Sequence, residues 1–283
     1  MAVCELTMRS TTLMMDVKVT VLIPESRKDY HLDDPDKKYP CLYILHGSCE
    51  DNSTWLNSSN LYLMARDLEL FVVMPSAYNS CYVDTKFGMK MMTYIAEELP
   101  AKMERLFPIS SKREDRFLMG ESMGGYGTWL LSLTYPEKYG KACPLSQGGI
   151  RDFGHILDTG AYSVDQLARE LSSSGKEATD YFLMCGTEDV MVYERCTSWE
   201  KFLKEECPNI FVKSEYWPGK HNFFFWNQIF LNYIIINNLK IWMSYISFLS
   251  VICYMIRKKN LILPIWTLSL IKYMRTFPSR ILF

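Results

Sequence analysis

Apolar positions along this chain fall into short runs separated by polar stretches. Residues 39–45, 70–75, 117–119, 141–146, 181–185 and 210–217 are runs of strand length, most of them rich in β-branched, aromatic and sulfur-containing side chains. Residues 12–23 alternate more loosely between apolar and polar and predict outer antiparallel strands, ended by Pro24. Between these runs the apolar period lengthens. Residues 60–64, 126–131 and 192–203 read as helices, and in 88–106 the positions of Met91, Met92, Ile95, Leu99, Met103 and Leu106 have helical spacing, a methionine-rich stripe that reads as core packing. Strands alternating with helices predict an α/β protein with a mostly parallel sheet. Residues 25–38, dense in charge, read as a surface loop in which His31 is a solvated side chain. The polar segment 148–179 has short helical promise and is expected to form a small lid, with Asp152, His155 and Asp158 as weak pocket candidates.

The run 117–119 passes through Gly120-Glu121-Ser122-Met123-Gly124-Gly125 into a helix-compatible stretch. A serine at the apex of a strand-to-helix turn needs strained backbone angles, and only glycines two residues away on each side avoid a clash with strand and helix. Ser122 is the candidate nucleophile. The amide of Met123, at the helix N-terminus, points where an oxyanion would form. Residues 39–45 run into His46-Gly47-Ser48, a loop whose glycine allows close approach to substrate. Gly47 and Ser48 are assigned to the oxyanion hole, with the Ser48 amide as donor and His46 orienting the loop through a backbone hydrogen bond. An acid is needed at a strand end near the serine. Residues 181–185 lead through Gly186-Thr187 into Glu188-Asp189, from which Asp189 is taken and Glu188 left as a solvated neighbour, although Asp189 also suits the start of the following helix. Of the four histidines, His221 alone follows both Ser122 and Asp189, on a glycine-containing loop after the last strand, so order and elimination agree on Ser, Asp, His. Trp55, together with Tyr82 and Asp84 from the loop 76–86, are the candidate substrate-binding residues. A plain polar surface loop fits the last two equally well.

Composition narrows the classes. At 283 residues, 48% hydrophobic and 14% aromatic, the chain has material for one large core. The net charge of -1 conceals an asymmetry: no Asp or Glu follows Glu215, whereas seven of the 31 basic residues lie at or beyond Lys240. The 24 basic residues before that point face all 32 acids, so residues 1–239 are acidic and do not read as a nucleic-acid binder. The nine cysteines are odd in number and lack a C-x-x-C pair. Neither a disulfide framework nor a metal site is expected, and with no basic-then-apolar N-terminal segment the chain reads as cytoplasmic.

Leu45-His46-Gly47, Val73-Met74-Pro75-Ser76, Asn79-Ser80-Cys81-Tyr82-Val83-Asp84, Glu97-Glu98-Leu99-Pro100, Gly120 to Gly127, Cys185-Gly186-Thr187-Glu188-Asp189 and Gly219-Lys220-His221-Asn222 occur in an order that resembles the esterase D family, closest to bacterial tributyrin esterases. The resemblance spans roughly residues 15–228 and departs from the family at Lys220, where a small residue is usual. It implies an α/β-hydrolase fold with a mostly parallel central sheet, helices on both faces and a short lid insert. It also implies short-chain carboxylesterase activity with no cofactor, in a family that includes S-formylglutathione hydrolases and sugar-ester deacetylases. A hydrolase-fold binding protein without turnover is the rival from another class. The partner expected is a small-molecule ester, and a homo-oligomer is left open.

The tail departs furthest. Beyond Gly219 there is no further Gly, Ala, Asp or Glu, and the catalytic domain is drawn as residues 1–232 with an atypical apolar, basic tail over 233–283. The run 241–256 is followed by Arg257-Lys258-Lys259 like a membrane anchor, yet it falls short of the roughly 18–20 residues needed to span. A partner-binding helix is a second reading. The composition favours a third, AT-rich DNA read in an unintended frame.

Overall fold

The computed structural model describes residues 1–25, 36–65, 69–86, 88–149 and 163–236. The buried apolar runs pair into one eight-stranded sheet of order β1-β2-β4-β3-β5-β6-β7-β8. These strands are β1 (Ala2–Ser10), β2 (Met15–Ile23), β3 (Cys41–Leu45), β4 (Phe71–Pro75), β5 (Arg116–Glu121), β6 (Lys141–Leu145), β7 (Asp180–Gly186) and β8 (Val212–Trp217). From β4 to β8 every pairing is parallel, while β1 and β2 add on antiparallel at one edge. Parallel pairs need crossover connections, and the sequence supplies them as helices. α1 (Thr54–Ser58) and α2 (Leu61–Ala65) follow β3. α3 (Met91–Thr93) runs through a π turn (Tyr94–Glu98) into α4 (Leu99–Leu106). α5 (Met123–Thr134) leaves β5, α6 (Val164–Ser173) lies between β6 and β7, α7 (Tyr193–Glu206) between β7 and β8, and α8 (Phe223–Ile236) comes last.

Strand β1 went unread in the sequence. Its residues alternate half-buried and exposed, because an edge strand covers the core with only one face, and Met14 turns it into β2 at a φ of 55°. By contrast β3, β4 and β5 are buried throughout, as strands covered on both faces must be. Met91, Leu99 and Met103 of the methionine stripe are fully buried, whereas Leu106 at its end is 52% exposed. Glu98, at the end of the π turn, ties this helix to the β1–β2 turn. It accepts from the Ser10 hydroxyl at 2.7 Å and from the Thr11 and Thr12 amides at 2.9 Å, and pairs with Lys102 at 2.7 Å. Residues Met1–Ile236 make one compact unit. The candidates His31, Asp152, His155 and Asp158, most of the N-terminal half of the expected lid, and the tail beyond Ile236 lie outside the described residues. The remainder of the expected lid carries α6. Among the described residues no helix is long and apolar enough to cross a membrane.

Candidate active site

Ser122 sits between β5 and α5 with φ 53° and ψ -114°, a conformation that strains any residue with a side chain. The surroundings enforce it. A Cβ on Gly120 would collide with the Gly124 carbonyl, and one on Gly124 with the Leu45 carbonyl, so strand and helix approach as closely as backbone permits. Ser122 donates its amide to the Leu145 carbonyl at 3.0 Å, and its own carbonyl accepts from Gly148 at 2.7 Å and Tyr126 at 3.1 Å. The apex is thus clamped between the ends of β5 and β6.

The ends of the next strands bring in the other candidates. Asp189, two residues past a bond from the Thr187 amide to the Trp217 carbonyl, is 1% exposed, whereas Glu188 is exposed. Oδ2 of Asp189 lies 2.7 Å from Nδ1 of His221, and Oδ1 accepts the amides of Met191 and Val192 at 3.2 and 3.3 Å. The same carboxylate therefore orders the turn into α7 and faces the imidazole. Burial acts to raise its pKa, but His221, the Ser146 hydroxyl and the Met191 amide outweigh that and hold it below the usual aspartate value. His221 stands on the short loop between β8 and α8. Lys220 before it is exposed and has no positive φ, so a larger residue than glycine is accommodated there, and Asn222 accepts the Phe225 amide to start α8. Trp226 lies edge-to-face on the His221 ring with centroids 5.1 Å apart and gives its indole N–H to the Ser146 hydroxyl at 3.2 Å.

Ser146 and Trp226 were not singled out in the sequence. Ser146 directly follows Leu145, whose carbonyl holds the Ser122 amide, so one residue touches the elbow's neighbour, Asp189 and the ring that flanks His221. Its place at the C-terminal end of a parallel strand, with φ 41°, was the only signal.

The loop after β3 is built around His46. Nε2 accepts the Ala77 amide at 2.9 Å, which leaves the proton on Nδ1 to be donated to the Gly47 carbonyl at 2.7 Å. Burial keeps this imidazole neutral by lowering its pKa. The Gly47 amide goes to Glu50 at 3.0 Å and the Cys49 amide to Asn79 at 2.7 Å, while Ser48 between them is exposed. Tyr82 is fully buried and donates its hydroxyl to the His46 carbonyl at 2.8 Å. Asp84 caps α3, accepting the Thr93 amide at 3.1 Å and its hydroxyl at 2.6 Å. Both therefore brace the loops of the site. Trp55 on α1 is buried and packs edge-to-face on Phe223 at 5.3 Å, and Phe223 packs in turn on Trp226 at 4.9 Å, so an aromatic wall runs from α1 to His221. On the far side of Gly148, a cavity of about 680 Å³ opens among α5, α6 and α7, lined by Tyr126, Trp199, Met191 and Arg195 among others.

A family model for putative esterases matches residues 10–150. That match, together with the relatives below, supports an esterase D-like family. An acetyl esterase of Caldicellulosiruptor saccharolyticus is 26% identical over 278 residues, covering 87% of this chain and 100% of its own. Among solved structures, a fluorophosphonate-binding serine hydrolase of Staphylococcus aureus, determined with substrate bound, superposes with a TM-score of 0.75 at 28% identity, over 82% of this chain and 96% of that one. The S-formylglutathione hydrolase of the same organism gives 0.73, also at 28% identity, over 82% and 97%. This esterase is a serine hydrolase of the α/β-hydrolase fold that acts on carboxylic ester bonds.

Proposed function

We propose that this esterase hydrolyses short-chain acyl esters through an acyl-enzyme intermediate, with Ser122 as nucleophile, His221 as general base and Asp189 as the acid that orients it. The observation that carries the reading is the 2.7 Å contact between His221 Nδ1 and Asp189 Oδ2, together with a serine held at positive φ at the start of a helix. Asp189 fixes the tautomer in which Nε2 of His221 is free to take the Ser122 proton. The alkoxide attacks the ester carbonyl, the imidazolium returns the proton to the departing alcohol, and water repeats the sequence to release the acid. The oxyanion is received by the amides of Met123 and Ser48. Met123 is the first residue of α5, so its N–H has no partner within the helix, and in the loop the amides on either side of Ser48 are already taken by Glu50 and Asn79.

The aromatic wall of Trp55, Phe223 and Trp226 stands beside His221, with both tryptophans buried. The acetyl esterase relative, matched along its whole length, supports the short-chain acyl class. A thioester or an acetylated sugar would use the same machinery, so a panel of nitrophenyl esters run beside S-formylglutathione and acetylated sugars ranks the three. Fluorophosphonate labelling tests the core of the proposal: wild type should label and turn over, and Ser122→Ala should do neither while keeping its fold. A Ser122→Ala variant that still hydrolyses esters would falsify the nucleophile assignment.

A further inference from the structure

Directly before Ser122, Glu121 is a carboxyl group that the proposed mechanism does not use. It is 0% exposed, and among the described residues no side chain donates to either of its oxygens; the Gly47 amide is the one backbone donor that acts on it. A buried carboxylate left in that state is costly, since one shared backbone amide replaces little of the solvation it gives up. What lies beside it is a second acid. The side chain of Glu50, from the loop after β3, is within hydrogen-bonding reach of Glu121 and accepts the Gly47 amide at 3.0 Å. The oxyanion loop is pressed against this pair. A Cβ on Gly47 would stand 2.5 and 2.9 Å from the two Glu121 oxygens, so glycine is needed there to seat the carboxyl.

The other titratable groups packed here offer no cation. His46, on the same loop as Glu50, is neutral, with Nε2 committed to Ala77 and Nδ1–H to Gly47. Tyr82, from the loop after β4, is buried and un-ionised, its pKa pushed well up by burial and by the two glutamates. Two carboxyl groups in contact with no compensating charge share one proton. Burial and the Glu50 charge act in that direction on Glu121 and outweigh the Gly47 amide, raising its pKa well above the usual range. Glu121 then donates O–H to the Glu50 carboxylate, which also receives N–H from Gly47.

We infer that Glu121 and Glu50 form a one-proton carboxyl pair that holds the Gly47–Ser48 loop in place for the oxyanion, making Glu121 a positioning residue whose ionisation at alkaline pH sets two like charges against that loop and lowers turnover. The kinetic consequence rests on the esterase reading above, while the shared proton itself does not.

Infrared spectra of the wild-type protein at pH 8 test the proton directly. The C=O stretch of an un-ionised carboxylic acid should be present, should be missing in Glu121→Gln, and in Glu50→Gln, which removes the like charge, should disappear at lower pH than in wild type. If the wild-type protein shows no such band at pH 8, the pair is refuted whatever the variants do. In the kinetic arm, kcat for nitrophenyl acetate is followed from neutral to alkaline pH. Glu121→Gln imitates the protonated acid, so it should retain turnover within a few-fold at pH 7 and lack the alkaline fall seen in wild type. Identical alkaline limbs in the two proteins overturn the positioning role. An inactive Ser122 assignment would leave the infrared result untouched, which separates the two failures.

Discussion

Replacing Asp189 by asparagine tests the proposed triad most sharply, because the structure dictates how the new amide must sit. In the native protein Oδ1 accepts the amides of Met191 and Val192, at 3.2 and 3.3 Å, and Oδ2 faces His221 Nδ1 at 2.7 Å. Asparagine has one oxygen and one NH2. If its oxygen stays with the two backbone amides, its NH2 points at Nδ1, which must then act as acceptor, so the imidazole proton moves to Nε2. That tautomer cannot accept the Ser122 proton. If the amide is flipped, the NH2 opposes two backbone N–H groups in a site that is 1% exposed, which costs on the order of 1–3 kcal/mol for buried groups left unsatisfied. The first arrangement prevails. Loss of the correct tautomer in such triads lowers kcat about 10⁴-fold, which is about 5 kcal/mol of transition-state stabilisation at 1.36 kcal/mol per tenfold. The assay is steady-state hydrolysis of nitrophenyl acetate, with near-ultraviolet circular dichroism to confirm folding. Glu188, exposed and with its side chain outside this network, serves as the control, and Glu188→Gln should keep kcat within a few-fold. An Asp189→Asn enzyme within tenfold of wild type, or equal losses in the two variants, would refute the assignment of the acid.

Acetyl to butyryl esters should be hydrolysed with higher kcat/KM than long-chain esters, because a pocket adds roughly 0.8 kcal/mol per methylene only while there is room to bury it. A steady rise to twelve-carbon acyl groups would show an open channel past the aromatic wall. Glu98→Gln should destabilise the protein by about 2 kcal/mol, since a carboxylate with four hydrogen-bonding partners becomes a neutral amide with a single acceptor. Burial acts to raise the Glu98 pKa, but Lys102, Thr12, Ser10 and Thr11 together depress it below 4.5, so its contribution is present above that pH and is lost as pH falls. The gap between the wild-type and Glu98→Gln denaturation midpoints should therefore narrow on acidification from pH 5, and a gap constant with pH would contradict the account. A stop codon at Asn237 should give a folded, active enzyme, because Met1–Ile236 forms a compact unit that holds every candidate catalytic residue. Loss of activity at equal folded concentration would place residues beyond Ile236 within the catalytic unit.

Much of this esterase was legible one-dimensionally, for identifiable reasons. A strand covered on both faces must be apolar throughout, so β3, β4, β5 and β7 announced themselves as runs. A turn as tight as that at Ser122 leaves no space for a side chain two residues away on either side, so Gly120 and Gly124 were visible as spacing. Position at a strand end selected Asp189, chain order and elimination selected His221, and the fold sets them 2.7 Å apart. The edge strand β1 was not read, since an edge carries only a half-buried alternation that polar composition masks. Tyr82 and Asp84 were placed in the loop after β4, but a loop's sequence does not say that their side chains turn to His46 and Thr93. Ser146, Trp226 and the Glu50–Glu121 pair depended wholly on tertiary structure. Their partners lie dozens of residues away or across neighbouring strands, and a carboxyl group's protonation is decided by what the folded chain packs against it, which no local pattern encodes.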